Sequence, residues 1–140
     1  MARWSSGVAL LAEVKLFKGM SKRALQEIYD HTRERTFPAG AAIVEEGDRE
    51  GSFYLVLEGT ARVMVQGEQR DSIGPGGYFG EISLIDREPR LATVVAESPL
   101  KALTLDNLSF RFLLRDHPEM SHELLIQLCR LLRAERSLHF

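Results

Sequence analysis

The chain has 140 residues, of which 44% are hydrophobic and 27% charged, and its formal net charge is −2. This length predicts one globular domain over residues 1–140, and the near-neutral charge gives no electrostatic reason to expect nucleic acid as a partner. The only cysteine, Cys129, cannot form an intramolecular disulfide, and the apolar run at 8–12 is too short for a secretory leader or a membrane span. We therefore expect a soluble, cytoplasmic protein that does not insert into a membrane.

Two helices are predicted before the first strand, within residues 7–31. Apolar side chains recur at helical spacing over 7–18, and a second helix follows Ser21, whose hydroxyl is a suitable N-cap. Leu25 and Ile28 fall on the face that this second helix is expected to bury.

Residues 36–105 have the pattern of a small β-structure. Short β-rich runs alternate with clusters of Gly, Pro, Asp and Asn, which is typical of antiparallel strands. The segment 66–69 predicts a hairpin turn, because Gly67 tolerates a positive φ. The predicted fold class is α+β and mainly β: an antiparallel β-barrel of the double-stranded jelly-roll type, flanked by helices on both sides.

Two helices are predicted after the barrel, over residues 106–137. Asp106 is a suitable N-cap for the first, and Pro118 ends it and opens the second. Cys129 lies in the second of these helices, where a cysteine is most often a small buried hydrophobe. The leucines of that helix form a wide stripe, which predicts packing against the barrel, a partner helix or both. They are Leu124, Leu125, Leu128, Leu131 and Leu132.

The glycine-rich stretch at 74–80 does not fit several common site types. A dinucleotide fingerprint starting at Gly74 would need its third glycine where Phe79 stands, and the chain has no Gly-Lys-Ser or Gly-Lys-Thr for a phosphate loop of the Walker type. A metal-binding barrel needs imidazoles on its strands, and no catalytic Ser–His–Asp set can be read from the sequence. We therefore predict no metal site and no catalytic residue. The histidines outside the predicted barrel are His31, His117, His122 and His139.

Residues 79–84 and Arg90 favour the binding of an anion. A tight glycine turn that leads into a short helix presents backbone N–H groups, and a guanidinium adds charge-assisted hydrogen bonds. The carboxylate of Glu81 would repel a phosphate, so it is expected to face another part of the ligand, such as a sugar hydroxyl. Together these groups indicate a nucleotide that carries a single phosphate.

These residues resemble the cyclic nucleotide-binding domain family, the cAMP and cGMP sensors of protein kinase A, catabolite activator proteins and gated channels. The phosphate-binding cassette of the family is matched by FGEISL at 79–84 and RLATVVA at 90–96, and an earlier family signature by IVEEGDREGSFYLVLEG at 43–59. The resemblance covers essentially the whole chain. It implies a cAMP-favoured regulatory domain that is not an enzyme and needs no cofactor.

The resemblance also implies what the site residues do. Glu81 should accept a hydrogen bond from the ribose 2′-hydroxyl, Arg90 should pair with the cyclic phosphate, and backbone N–H groups near Gly80 should surround the ligand. The expected ligand-binding residues are Phe79, Gly80, Glu81, Ile82, Ser83, Arg90, Leu91 and Ala92. Leu91 departs from the Ser, Thr or Ala usual in the family, which removes a phosphate bond and argues against cGMP. Glu50 also stands where the earlier signature prefers a small residue, but it lies in an expected surface turn, where the departure should matter less.

Ligand binding is expected to order the loop 79–91 and to move the terminal helix over the base, a population shift read by a fused or separate effector. The residues expected to face the base are among Arg130, Leu131, Leu132 and Arg133. No helix-turn-helix follows, so the chain is not expected to bind DNA. The alternative hypothesis is a degenerate domain that serves as an interaction scaffold. Its homodimer seam would lie on the terminal helix at Leu124, Leu128 and Leu131.

Overall fold

The computed structural model describes residues 6–135. The helices are α1 (Ser6–Leu11), α2 (Lys22–Asp30), α3 (Glu81–Asp86), α4 (Asn107–Asp116) and α5 (Pro118–Glu135). The strands are β1 (Arg33–Phe37), β2 (Ala42–Val44), β3 (Phe53–Glu58), β4 (Ala61–Val65), β5 (Glu68–Ile73), β6 (Tyr78–Phe79), β7 (Thr93–Ala96) and β8 (Leu100–Leu105). His139 and the predicted helix end at 137 lie outside the described residues.

The chain divides into two compact units. The strand unit, Thr32–Ser109, contains β1 to β8 and α3; the helical unit is built from residues on either side of it in sequence. Helix α4 begins in the strand unit and continues along the chain into the helical unit. That residues 1–140 act as one domain stays a prediction.

The strands form two four-stranded antiparallel sheets, with the orders β1-β8-β3-β6 and β2-β7-β4-β5. This is a mixed α and antiparallel-β fold, as predicted, but the hydrogen bonds do not join the sheets into one closed barrel. The predicted start of the β-structure, residue 36, is too late, because β1 already pairs Arg33 with Thr104 of β8. The first residues of β1 are exposed and charged, so no apolar alternation marks them in the sequence.

The hairpin predicted at 66–69 is confirmed. Strands β4 and β5 are joined by Gln66 and Gly67, whose φ values of 51° and 82° are both positive. A type I′ hairpin turn, whose twist matches that of the flanking strands, requires a positive φ at both of its central residues.

The core of the strand unit contains residues from both sheets. Its buried members are Val44, Tyr54, Val56, Ala61, Val94, Ala96, Leu100 and Ala102. The ring of Phe79 stacks on that of Tyr54, with centroids 5.0 Å apart and planes 16° apart. This contact fixes the end of β6, directly before the glycine that opens α3, against the core.

The helical unit confirms the predicted N-cap, since the Ser21 hydroxyl accepts a hydrogen bond from the Ala24 N–H at 3.1 Å, and Leu25 and Ile28 are buried. The first predicted helix is shorter than expected. It ends at Leu11, and turns with bonds from residue i to i−3 follow, such as Val14 N–H to the Leu11 carbonyl.

The leucine-rich helix α5 starts at Pro118, as predicted. The prediction that Cys129 is buried is wrong, because its side chain is exposed. It lies one turn after Leu125 and one turn before Leu132, both of which are also exposed, so the three share the outer face. Leu124 of the predicted seam is buried in the chain.

Candidate functional site

Position 80 requires a glycine, because the Ser52 carbonyl and the Arg90 side chain lie directly against its backbone. Gly80 caps α3 in the left-handed region, at φ 88°. A Cβ placed on it would lie 2.5 Å from the Ser52 carbonyl oxygen and 2.6 Å from Nη1 of Arg90. Both distances are far below van der Waals contact. The absence of a side chain at this position therefore lets the guanidinium of Arg90 pass directly beside the backbone.

The structure brings all eight predicted site residues to one cavity of about 190 Å³. Besides those eight, the wall is formed by Val44, Val63 and Val94. The cavity thus has an apolar wall supplied by strands β2, β4 and β7. Its polar part comes from the first turn of α3, which carries Glu81, and from Arg90.

Arg90 is buried, with 6% of its surface exposed, and its guanidinium is held at one nitrogen. Nη2 donates to the Ser52 carbonyl oxygen at 2.6 Å and to Oε1 of Glu50 at 3.0 Å. The third guanidinium nitrogen, Nε, is buried and has no hydrogen-bond partner among residues 6–135. A buried charged donor without an acceptor is unfavourable, so this nitrogen suits an incoming oxygen.

The earlier of the two sequence motifs positions Arg90 through the main chain. The Arg90 N–H donates to the Asp48 carbonyl at 2.7 Å, and the Gly47 N–H donates to the Arg90 carbonyl at 2.8 Å. Gly47 has a φ of 87°, which lets the turn at 47–48 present both groups on the same side. The two motifs are thus joined at the arginine.

Glu50 is a site residue that the sequence reasoning missed. It forms the ion pair with Arg90, and its second carboxylate oxygen accepts a hydrogen bond from the Ser52 hydroxyl. Glu50 is exposed, as expected of a surface turn. That the position matters less stays a prediction, and the ion pair with Arg90 speaks against it. The signal that marks it in the sequence is its departure from the small residue that the family signature prefers.

Leu91 projects away from the cavity interior. Its side chain lies at the rim and is 89% exposed, so it leaves the space between the valines and Arg90 open. Ile82, on the first turn of α3, is also largely exposed. The rim of the cavity therefore carries two apolar side chains in contact with water.

Asn107 ties α3 to the beginning of α4. Its side-chain amide donates to the Leu84 carbonyl oxygen at 2.6 Å, and the asparagine is buried. The preceding residue, Asp106, caps α4 as predicted by accepting from the Ser109 N–H at 2.7 Å. The bond from Asn107 is a second link that sequence reasoning did not identify. It joins the cavity-lining helix to the element that leads out of the strand unit.

Tyr54, which stacks on Phe79, has a raised pKa. Burial of the hydroxyl raises it above the usual 10.0, and the carboxylate of Glu50 raises it further, while Arg35 and Arg90 act in the opposite direction. The phenol is thus kept neutral beside the Glu50–Arg90 pair.

Within residues 6–135, no group of three or more histidine, cysteine, aspartate or glutamate side chains is arranged to hold a metal ion. No helix in the described part of the chain is long and apolar enough to cross a membrane.

Residues 34–117 match the family model of the cyclic nucleotide-binding domain. A cyclic nucleotide-gated potassium channel of Mesorhizobium japonicum is 38% identical over 112 residues, which are 80% of this chain and 31% of the channel. The cAMP-dependent protein kinase regulatory subunit of Yarrowia lipolytica is 35% identical over 101 residues, which are 72% of this chain and 27% of the subunit. The chain thus spans less than a third of the length of either curated relative.

The same likeness is found among solved structures. The N-terminal domain of a transcriptional regulator from Streptomyces coelicolor A3(2) is similar, with a TM-score of 0.83 and 28% identity, over 94% of this chain and 97% of that one. The mixed α and antiparallel-β fold of this chain is therefore shared along nearly the full length of both.

Proposed function

The chain belongs to the cyclic nucleotide-binding domain family, and on this premise we propose that it is a regulatory domain that binds cAMP and passes the bound state to an effector. Residues 1–140 form one such domain in this proposal, which acts in the cytoplasm, binds no DNA itself and catalyses no reaction. The ligand occupies the cavity lined by the cassette residues 79–84 and 90–92.

The observation that carries the proposal is the buried Nε of Arg90, which has no hydrogen-bond partner among residues 6–135. This nitrogen, together with Nη1 beside Gly80, offers N–H donors to an anion at a cavity that Glu81 also lines. A cyclic phosphate supplies oxygen acceptors for the guanidinium, and a ribose 2′-hydroxyl supplies a donor for the carboxylate. A ligand with both groups a few ångströms apart can hydrogen-bond to both residues.

The choice of cAMP rests on the residue after the arginine. Leu91 carries no hydroxyl, so it offers no hydrogen bond to the phosphate and none to a guanine base. Val44, Val63 and Val94 form an apolar part of the cavity wall, which suits a base held by apolar contact rather than by specific polar groups.

The hydrogen bond from the Asn107 side chain to the Leu84 carbonyl is the first step by which ligand binding is passed to the effector. A ligand that orders the first turn of α3 also restrains the Leu84 carbonyl, and through the Asn107 amide the start of α4. Helix α4 continues along the chain to α5, so a change at the cassette is carried toward whatever follows or binds there.

A calorimetric titration with cAMP and cGMP tests the binding proposal. We expect cAMP to bind at one site per chain and more tightly than cGMP. Arg90→Lys keeps the charge but loses the planar fork, and should weaken cAMP binding by about 2 kcal/mol. Arg49→Lys is the matched control, since Arg49 is exposed and makes only a long ion pair to Glu88 at 3.9 Å. No heat and no thermal shift with millimolar cAMP or cGMP would overturn the proposal.

A second candidate function, an interaction scaffold, is favoured by one observation. Leu125, Cys129 and Leu132 form an exposed stripe on α5. A seam built on these residues, rather than on the buried Leu124, would bring two copies together. Light scattering of the purified chain with and without cAMP separates the two functions, because a ligand-independent dimer with no cAMP binding supports the scaffold alone.

A further inference from the structure

The guanidinium of Arg90 is already occupied by an acid of the same chain. Nη2 has two N–H donors and two acceptors, the Ser52 carbonyl and Oε1 of Glu50. The side chain of Arg90 is only 4% exposed, whereas that of Glu50 is 45% exposed. The arginine is therefore fixed in the wall, and its acidic partner reaches it from the solvent side.

This arrangement limits how an oxyanion can bind. A guanidinium binds a phosphate or carboxylate bidentately along either of two edges, Nε with Nη2 or Nη1 with Nη2. Both edges include Nη2, the nitrogen whose donors are used by Ser52 and Glu50. While both bonds stand, an incoming phosphate can make only single bonds to Nε or Nη1.

Of the two acceptors on Nη2, Glu50 is the one that can leave. The Ser52 carbonyl belongs to the backbone directly before β3 and is held in place beside Gly80. Glu50 needs only a side-chain rotation to return its carboxylate to water. Its negative charge also opposes a phosphate at the same arginine, because one guanidinium cannot neutralise two anions in a buried site.

We propose that Glu50 competes with the ligand phosphate for Arg90 and so sets the affinity of the site. This inference rests on the proposed function, since it concerns the same cavity. In the ligand-free chain the carboxylate neutralises the buried guanidinium, and the ligand must displace it from Nη2 to bind bidentately. The hydroxyl of Ser52 stabilises the ligand-free arrangement by donating to the other oxygen of Glu50.

The test compares Glu50→Gln with a matched control, Glu88→Gln, by calorimetric titration with cAMP. Both substitutions remove one negative charge without changing shape, and Glu88 pairs only with the exposed Arg49. Glu50→Gln should bind cAMP roughly tenfold more tightly, on the scale of one charge-assisted hydrogen bond. Glu88→Gln should bind like the unmodified chain.

Thermal unfolding gives an independent test, because Glu50→Gln is expected to lower the stability of the ligand-free chain although it raises the affinity for cAMP. Without ligand, Glu50→Gln should melt below the unmodified chain, because the buried arginine loses its counter-charge. With saturating cAMP the difference should shrink or reverse, since the phosphate now neutralises Arg90. A glutamate that merely positions the arginine would lower both stability and affinity.

The outcomes separate this inference from the proposed function. If the unmodified chain binds cAMP and Glu50→Gln binds it equally or more weakly, the competition is refuted and the binding function stands. Binding by Glu50→Gln alone would support the competition strongly. If neither protein binds cAMP or cGMP, both the proposed function and the inference are overturned.

Discussion

The backbone of Gly80 lies against the guanidinium of Arg90, so that a Cβ on the glycine would sit 2.6 Å from Nη1. Gly80 and Arg90 of the cassette are thus complementary in shape in the ligand-free chain. A position with no side chain makes the space, and the buried arginine fills it. A substitution at either Gly80 or Arg90 should therefore also disturb the packing of the other residue.

We predict that Gly80→Ala destabilises the strand unit and weakens cAMP binding. Alanine pays about 1–2 kcal/mol for the left-handed backbone, and its methyl group also forces Arg90 or the Ser52 carbonyl to move. The control is Gly40→Ala, because Gly40 has nearly the same φ, 89°, with no atom within 4 Å of its would-be Cβ. Urea unfolding and calorimetry measure both effects. Equal losses for the two variants would show that the fit to Arg90 is unimportant.

Glu81→Gln should weaken cAMP binding by removing the charged acceptor for the ribose hydroxyl. The unmodified chain should also discriminate against 2′-deoxy-cAMP, by about 1–3 kcal/mol, because that ligand lacks the hydroxyl that donates to Glu81. The two changes should not add fully, because the substitution weakens the same hydrogen bond that the deoxy ligand lacks. If the deoxy ligand lost the same affinity in both proteins, Glu81 would not be the group that reads the sugar.

Asn107→Ala tests the link between α3 and α4. It leaves the buried Leu84 carbonyl without its donor, which should cost about 1–3 kcal/mol of unfolding free energy. Hydrogen exchange of the α3 amides should become faster, because the helix loses its tether. Asp106→Ala is the control: it removes the cap of α4 and should leave exchange in α3 unchanged. Faster α3 exchange in the control as well would show that the cap, not Asn107, restrains the cassette.

The raised pKa of Tyr54 predicts a loss of stability in alkali. Its phenol ionises more readily in the unfolded chain, at about its usual 10.0, than in the folded one. The contribution is therefore fully present below that pH and disappears as pH rises through the folded pKa. Urea unfolding at about pH 9 and about pH 11 should show a smaller decline in Tyr54→Phe than in the unmodified chain. Identical declines would exclude Tyr54 as the source.

Much of this site could be predicted from sequence because its residues follow one another closely. The glycine turn, the acid on the first turn of a short helix and the arginine that follows lie within residues 79–92, and local rules place them together. The hairpin at 66–69 and the caps at Ser21 and Asp106 can be predicted from the sequence for the same reason.

What sequence reasoning missed depends on contacts between distant segments. Glu50 meets Arg90 across 40 positions, and nothing in the loop that carries it indicates the pairing. Asn107 reaches Leu84 across 23 positions in the same way. The barrel of the double-stranded jelly-roll type stays a prediction, because strand pattern shows which faces are buried but not which edges are joined. The exposure of Cys129 could not be predicted, because a leucine-rich sequence does not show how much of the helix surface is buried.

Whether the buried Nε of Arg90 receives the phosphate of a cyclic nucleotide can be read from the Nε–H signal of that arginine. In nitrogen-15 spectra of the labelled chain, the signal absent from Arg90→Lys identifies Arg90. This signal should shift on addition of cAMP, saturate at one ligand per chain, and stay in place with adenosine, which lacks the phosphate. If it stays in place while cAMP binds, or moves equally with adenosine, Arg90 is not the group that receives the phosphate.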